Sequence, residues 1–453
     1  MYKNRNNSKY NYLISRKTLN LFNILSKMIL FITIMCLFFE YYWGFFHLTI
    51  SQLTLISFIV IVFSYILLFT QKGYIIFGFH FIVITYTYLS HFGLLIANEI
   101  NKEIATIRSQ YTMRFLEMEE LKKAVLIALI TCIIFVLFIP GRNYLREKKE
   151  NKKLKLIEYR FQQTTFFIGM LIQIIGIIVL VYVINSQKFY SYGYAERHAI
   201  MGQSGLYGHT TILLSFVFCM MLSVCSLKQW KIGFLPYLII IGIHFSLGNR
   251  GEVLYSLLCC ISIYTLRYGK MKLKKLILPG IVLIMIIPLI RDFRVAQNIN
   301  TYTFDIFKNF IEMISEIGFQ IAPFTYIVNS IENEIGYVYG GTYLYSWWNF
   351  ISHNIPFLPE IDVNSILNIH FVMPQSGLGF SHIAEAYYNF GLIGCSLYYF
   401  LLSKFIIWLE NIFIEKDNLY FRVFSSLLVV VFINLTRNTF ITFPVFSAYI
   451  VIL

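Results

Sequence analysis

Five arginines stand at the ends of apolar runs or in the turns between them: Arg197, Arg250, Arg291, Arg294 and Arg437. A guanidinium group is the preferred two-pronged partner of phosphate, so a set of them suits an anion with several phosphate oxygens. Arg250 lies in Gly248-Asn249-Arg250-Gly251-Glu252. Glycine there lets the backbone approach an anion closely, and a helix start favours negative charge. Arg437 occupies the short turn Thr436-Arg437-Asn438, and Arg197 opens a stretch that runs from Arg197-His198 to Tyr207-Gly208. Taken singly, each has a plain alternative: contact with lipid headgroups, or a local pair such as Arg250 with Glu252 or Arg291 with Asp292. Taken together, arginines converging from separate turns would hold a diphosphate at a bilayer surface.

The candidates for a base lie in the same part of the chain. Glu385 is the last charged residue before an apolar run at 387–409, and His382 precedes it by three positions. On a helix that spacing puts both on one face. A base at a membrane boundary can be desolvated and tuned towards neutral pH. His353 and His370 are further candidates, for which a hydrogen-bonded surface residue is the ordinary reading. The turns hold no Asp-x-Asp pair, the histidines lack metal-ligand spacing, and there is no Walker-type phosphate loop. The expectation is therefore chemistry without metal, nucleotide or other cofactor.

The elements that must position these residues are membrane helices. Of 453 residues, 58% are hydrophobic and 13% charged, where a soluble domain carries about a quarter charged. The chain reads as an all-α integral membrane protein. Apolar runs fall near 28–47, 48–70, 74–97, 124–140, 164–184, 209–227, 232–247, 253–266, 276–290, 387–409, 421–435 and 441–453. Spans need about 20 residues each, so the expectation is about twelve transmembrane helices around one long loop, 291–386. The net charge of +14 could suggest nucleic acid. Its distribution excludes that, because the lysines and arginines gather in the N-terminal arm and in the loops 141–163 and 267–275. That asymmetry sets membrane orientation, placing both termini in the cytoplasm and loop 291–386 outside. The chain then divides into a basic arm (1–27), helices 1–9 (28–290), an extracytoplasmic catalytic loop (291–386) and helices 10–12 (387–453).

Further expectations concern side chains inside these segments. The seven cysteines lie in apolar runs, which argues against disulfides and a zinc site. His80, His91 and His244 look isolated within helices otherwise almost free of ionisable groups. That poverty counts against an ion-coupled transporter. In the long loop, Phe304, Phe307, Phe310, Ile311 and Ile314 recur at helical spacing, as for an amphipathic interfacial helix. Tyr343, Tyr345, Trp347 and Trp348 fit an aromatic belt.

Several short motifs give the chain a family resemblance. They are Gly248-Asn249-Arg250-Gly251-Glu252, Arg291-Asp292-Phe293-Arg294 and Gly340-Gly341-Thr342-Tyr343, with Gly377-Leu378-Gly379-Phe380-Ser381 continuing through Ala384-Glu385-Ala386-Tyr387 to Asn389-Phe390-Gly391. With these the chain resembles the O-antigen and polysaccharide repeat-unit polymerases of the Wzy type. The Arg197-to-Gly208 spacing is similar to a loop motif of that family, and a second copy expected in the long loop is missing. The resemblance implies a metal-independent glycosyltransferase of the C-type membrane fold class in the bacterial cytoplasmic membrane. Its partners would be polyprenyl (undecaprenyl) diphosphate-linked oligosaccharides and membrane lipid, with a chain-length regulator and a flippase as candidate protein partners. On that view Arg250, Arg291 and Arg294, joined by Arg197 and Arg437, balance the diphosphate, and Glu385 or His382 takes the acceptor proton. A glycan ligase and a polysaccharide flippase are the alternatives the sequence leaves open.

Overall fold

The computed structural model describes residues 16–71, 74–101, 118–139, 154–192, 200, 205–247, 251–269, 305–332, 336–355, 357–359, 380–415, 418–438 and 440–453. Among these there are helices and turns but no strand. In chain order the α-helices are α1 (Arg16–Trp43), α2 (Ile50–Thr70), α3 (Phe79–Ile100), α4 (Met118–Leu137), α5 (Leu154–Ser186), α6 (Gly205–Val224) and α7 (Leu227–Ser246). There follow α8 (Gly251–Tyr268), α9 (Ile306–Ile317), α10 (Ile321–Ser330), α11 (Gly341–Asn354), α12 (His382–Glu415), α13 (Leu419–Leu435) and α14 (Phe443–Ile452).

Six of the described helices are long and apolar enough to cross a membrane, in α1, α2, α3, α5, α6 and α12, and shorter apolar helices lie in α8, α13 and α14. The run expected at 276–290 lies outside the described residues. The core gathers around two helices that are apolar all round. Helix α4 packs against α1, α2, α10 and α12, while α6 packs against α5, α7, α8 and α13. The outside of the bundle is equally apolar. On α5, Phe167, Leu171, Ile174, Ile178 and Tyr182 stand exposed along one stripe, which only a hydrocarbon surrounding accommodates in this number.

Local sequence explains where the helices stop and start. Thr49 caps α2 and Ser226 caps α7, each in a capping box with a glutamine three residues on. Glu40 closes the α1–α2 turn, with one carboxylate oxygen accepting the Phe46 N–H at 2.7 Å and the other the Leu48 N–H at 2.8 Å. At the end of α6 the Arg267 guanidinium donates to the carbonyls of Leu222 (2.7 Å), Val224 (2.6 Å) and Cys225. It thereby satisfies carbonyls that a helix C-terminus leaves open.

One expectation from the sequence needs correction. The three histidines are not isolated. His80 is paired through Nδ1 with Glu410, both buried; His91 binds Ser381, and His244 binds Tyr207 at 2.9 Å. Hydropathy windows missed these pairs because each partner lies outside the histidine's own helix, 37 to 330 positions away. The amphipathic helix expected from the stripe in the long loop is present as α9. It lies in the segment expected to be a loop and packs along α3, yet Asn309, Glu312 and Ser315 are buried while Phe307 is 59% exposed and Phe310 40%. The helix turns its polar side inward and two of its phenylalanines outward, with only Ile311 of the expected set fully buried. An amphipathic helix takes that attitude when its surroundings are apolar and its protein neighbour is not. Phe304 lies outside the described residues.

Helix α9 approaches α3 through glycine. A Cβ on Gly318 would fall 1.9 Å from the Leu94 backbone nitrogen, and one on Gly93 would fall 2.6 Å from the Ile314 carbonyl oxygen. Small residues permit this closeness between helices in membranes. Gly318→Ala is expected to lower the melting temperature of the detergent-solubilised protein by several degrees, because overpacking costs about 1–3 kcal/mol or more. Gly242→Ala on α7, where a Cβ meets nothing within 4 Å, should instead be neutral or stabilise by up to about 1 kcal/mol. The two thermal unfolding curves check both statements.

Candidate functional site

The site is built where α12 begins and then breaks. Gly391 adopts φ 66°, ψ −160° inside the helix, a backbone region that favours glycine. Residues 382–390 thus form a half-helix separate in direction from the rest of α12. The break frees two carbonyls, and the strand-like segment before α11 takes them. The Val338 N–H donates to the Tyr388 carbonyl at 3.1 Å and the Tyr339 N–H to the Asn389 carbonyl at 3.0 Å. In a bilayer such groups must be satisfied by protein.

Asn389 completes the joint. Its amide nitrogen donates to the Thr342 hydroxyl at 2.6 Å and to the Glu385 carbonyl at 2.7 Å, while its amide oxygen accepts the Thr342 N–H at 3.3 Å. The Thr342 hydroxyl in turn hydrogen-bonds the Glu385 carboxylate. The second donor to Glu385 is the Phe440 N–H, 2.7 Å from Oε2. Glu385 is 3% exposed, and among the described residues no cation pairs with it. A carboxyl buried without a counter-charge is costly, which marks it as a candidate for chemistry. The Tyr343 ring lies edge-on to Phe440 at 4.9 Å. Burial, with the Glu385 carboxylate nearby, pushes the Tyr343 phenol well above its usual range, so it stays a hydrogen-bond donor.

His382 faces a different set of partners. The Thr436 hydroxyl donates to the Phe432 carbonyl at 3.2 Å and so accepts from His382 Nε2 at 2.9 Å. That leaves Nδ1 to accept the Tyr398 hydroxyl at 3.1 Å. Behind it, His91 Nδ1 donates to the Thr87 carbonyl (3.0 Å), and Nε2 meets the Ser381 hydroxyl (3.1 Å). The Ser381 oxygen also accepts the Ala384 N–H, capping the half-helix. Both ring nitrogens of His382 are therefore occupied by protein, whereas Glu385 holds only two donors.

Of the arginines singled out in the sequence, Arg437 is described. It lies half-buried in the turn after α13, between Thr436, which binds His382, and Phe440, which binds Glu385. The structure thus brings the Arg437 turn and both base candidates together. Arg197, Arg250, Arg291 and Arg294 lie outside the described residues, as does His370. Helix α8 begins at Gly251, directly after Arg250, and packs against α3, α6, α12 and α13. His353 is exposed in the last turn of α11. Sequence reasoning assigned no role to Thr342, Asn389, Tyr398, Thr436, Phe440 or His91. The available signals were the strings Gly340-Gly341-Thr342-Tyr343, Asn389-Phe390-Gly391 and Thr436-Arg437-Asn438.

The described fold and site define a polytopic membrane protein with a broken helix that presents a buried carboxylate beside an arginine-bearing turn. Over residues 23–453 the chain matches the O-antigen polysaccharide polymerase Wzy family, and it belongs to that family. It is also similar to Protein CapE of Staphylococcus aureus, 25% identical over 355 residues covering 75% of this chain and 77% of that protein. No solved structure matches. Membership carries the coarse reading: a polymerase of polysaccharide repeat units, of the membrane glycosyltransferase type, acting on polyprenyl-linked units in the inner membrane.

Asn389→Leu removes every side-chain bond of the joint at similar volume. It is expected to cost about 1–3 kcal/mol per buried group left unpaired, read as a lowered thermal midpoint. Gly242→Ala on the remote helix α7 should show no such loss in the same assay.

Proposed function

We propose that this chain transfers a growing glycan from polyprenyl diphosphate to the non-reducing end of a carrier-linked repeat unit. The reaction takes place at the outer face of the cytoplasmic membrane, with both termini inside, and builds an O-antigen, capsule or exopolysaccharide. The observation that carries this reading is Glu385: a buried carboxylate, held by the Phe440 N–H and the Thr342 hydroxyl, with no cation paired to it among the described residues. A base positioned in this way can take a proton from a sugar hydroxyl.

In the proposed step the acceptor hydroxyl oxygen bonds to the anomeric carbon of the donor as the carbon–oxygen bond to diphosphate breaks. The hydroxyl proton passes to Glu385, and polyprenyl diphosphate leaves with the bonding electron pair. Diphosphate is already a good leaving group, so the reaction needs neither a metal nor a general acid. Arg250, Arg291 and Arg294, with Arg197 and Arg437, stabilise the charge that develops on it. His382 acts on this reading through the half-helix: its two nitrogens tie Tyr398 and Thr436 and so fix where Glu385 points. Helices arranged around one extracytoplasmic segment support a C-type glycosyltransferase architecture. A chain-length regulator and a flippase would act beside it.

Glu40, the acidic residue at the end of the first helix, has no part in the proposed step. Both of its carboxylate oxygens are spent on backbone N–H groups of the α1–α2 turn, which leaves it a structural role.

Glu385→Gln and Arg250→Ala are each expected to insert normally but to reduce polymer by about 100- to 1,000-fold, the usual effect of losing one electrostatic contact at a transition state. Gel analysis of carrier-linked glycan in cells complemented with each variant provides the check. Single repeat units should accumulate. Full-length polymer from either variant removes that residue from the mechanism, and polymer stranded on the carrier when the gene is deleted would point to a ligase.

A further inference from the structure

The half-helix 382–390 has a second side. Residues two apart on a helix point about 200° from one another, so Tyr387 looks away from the pocket that Glu385 faces. There its hydroxyl meets that of Tyr41 on α1 at 3.2 Å and hydrogen-bonds Tyr337 as well. The Tyr337 ring stands edge-on to that of Tyr387 at 5.9 Å, and its hydroxyl lies over the helix break, 3.0 Å from where a Cβ on Gly391 would be. Phe324 of α10 closes the inner wall against Tyr387 at 5.9 Å. At the rim, Lys123 of α4 pairs with Glu332, and Glu332 lies within electrostatic reach of the Tyr41 hydroxyl.

This cluster has no part in the Glu385 chemistry; Tyr387 is its fully buried floor, and its rim is exposed. Tyr337 is 37% exposed, and the Lys123 and Glu332 side chains are 39% and 30% exposed. Its groups are flat aromatic faces, three hydroxyls that both donate and accept, and one ion pair whose charges cancel. An anion such as diphosphate gains nothing from a site without net charge. A hydroxyl-rich neutral ring does, because it can lie on an aromatic face while its hydroxyls exchange hydrogen bonds at the edge.

We propose that Tyr41, Tyr337 and Tyr387, with the Lys123–Glu332 pair, form a second saccharide subsite for neutral sugar units of the growing glycan some way from its reacting end. This rests on the polymerase reading above. The half-helix is then a partition with a carboxylate on one side and a glycan-holding surface on the other. Both are fixed to one rigid piece, so a chain held at the tyrosines stays near the reacting centre between transfers.

Two measurements test it. In complemented cells, Tyr337→Ala is expected to give glycan several-fold shorter than wild type, with two- and three-unit products accumulating. Tyr387→Phe, which keeps the ring and removes only the hydroxyl, should shift length in the same direction. An unchanged length distribution in both variants overturns the proposal. So does loss of all linked products, since the cluster would then belong to the reacting centre. In the purified full chain, the probe is the repeat-unit oligosaccharide released from the host carrier by mild acid, which carries no diphosphate. It should bind, and Tyr337→Ala should weaken it at least ten-fold. Equal affinity for the two proteins, or displacement of the probe by inorganic pyrophosphate alone, overturns the subsite. If polymer persists in Glu385→Gln cells while Tyr337→Ala shortens it, the mechanism fails and the subsite stands.

Discussion

Hydrocarbon cannot hydrogen-bond a peptide group, and the structure around Gly391 follows from that constraint. A helix that breaks within a membrane exposes carbonyls that would cost several kcal/mol each if left bare. Here the break is answered by two backbone N–H groups from Val338 and Tyr339 and by the Asn389 side chain. The same bonds bring Thr342 against Glu385. Satisfying the backbone and assembling the site are thus one event, and the segment before α11 is held by it as firmly as the half-helix.

A consequence is that several buried polar groups among the described residues come in sets separated by apolar packing. The His382–Tyr398–Thr436 set and the His91–Ser381–Thr87 set flank the start of α12. The buried His80–Glu410 pair lies towards the far end of the same helix. The His91–Ser381 and His80–Glu410 contacts join segments remote in sequence, and each set would be destabilised if one partner were lost. Against this pattern Glu385 stands out, because its two donors are neutral and no cation completes the set among the described residues.

Within the long segment 291–386 the described residues form helices that pack against the bundle. Helix α10 is buried along nearly its whole length, α9 crosses α3 at a glycine contact, and α11 carries Leu344, Trp347, Trp348 and Ile351 outward on one face. Aromatic and aliphatic residues facing out, with polar ones facing in, is the arrangement of amphipathic helices against an apolar surrounding. The site is therefore framed by these helices as well as by the apolar spans.

Much of this was legible in the sequence. Apolar runs located the spans because hydrocarbon burial depends on composition alone, and the motifs Gly340-Gly341-Thr342-Tyr343 and Asn389-Phe390-Gly391 were visible as separate strings. That these strings form one joint was not visible, since Thr342 and Asn389 are 47 positions apart and spacing carries no information about contact at that range. Helical periodicity also found the α9 stripe but not its direction, because periodicity reports that two faces differ and not which neighbour each will meet. The sequence determined the apolar helices and the charge asymmetry and singled out Glu385 as a candidate. Only the tertiary structure decided which groups are spent on one another, and that buried Glu385 has no cation paired to it among the described residues, because that depends on long-range packing that no local pattern encodes.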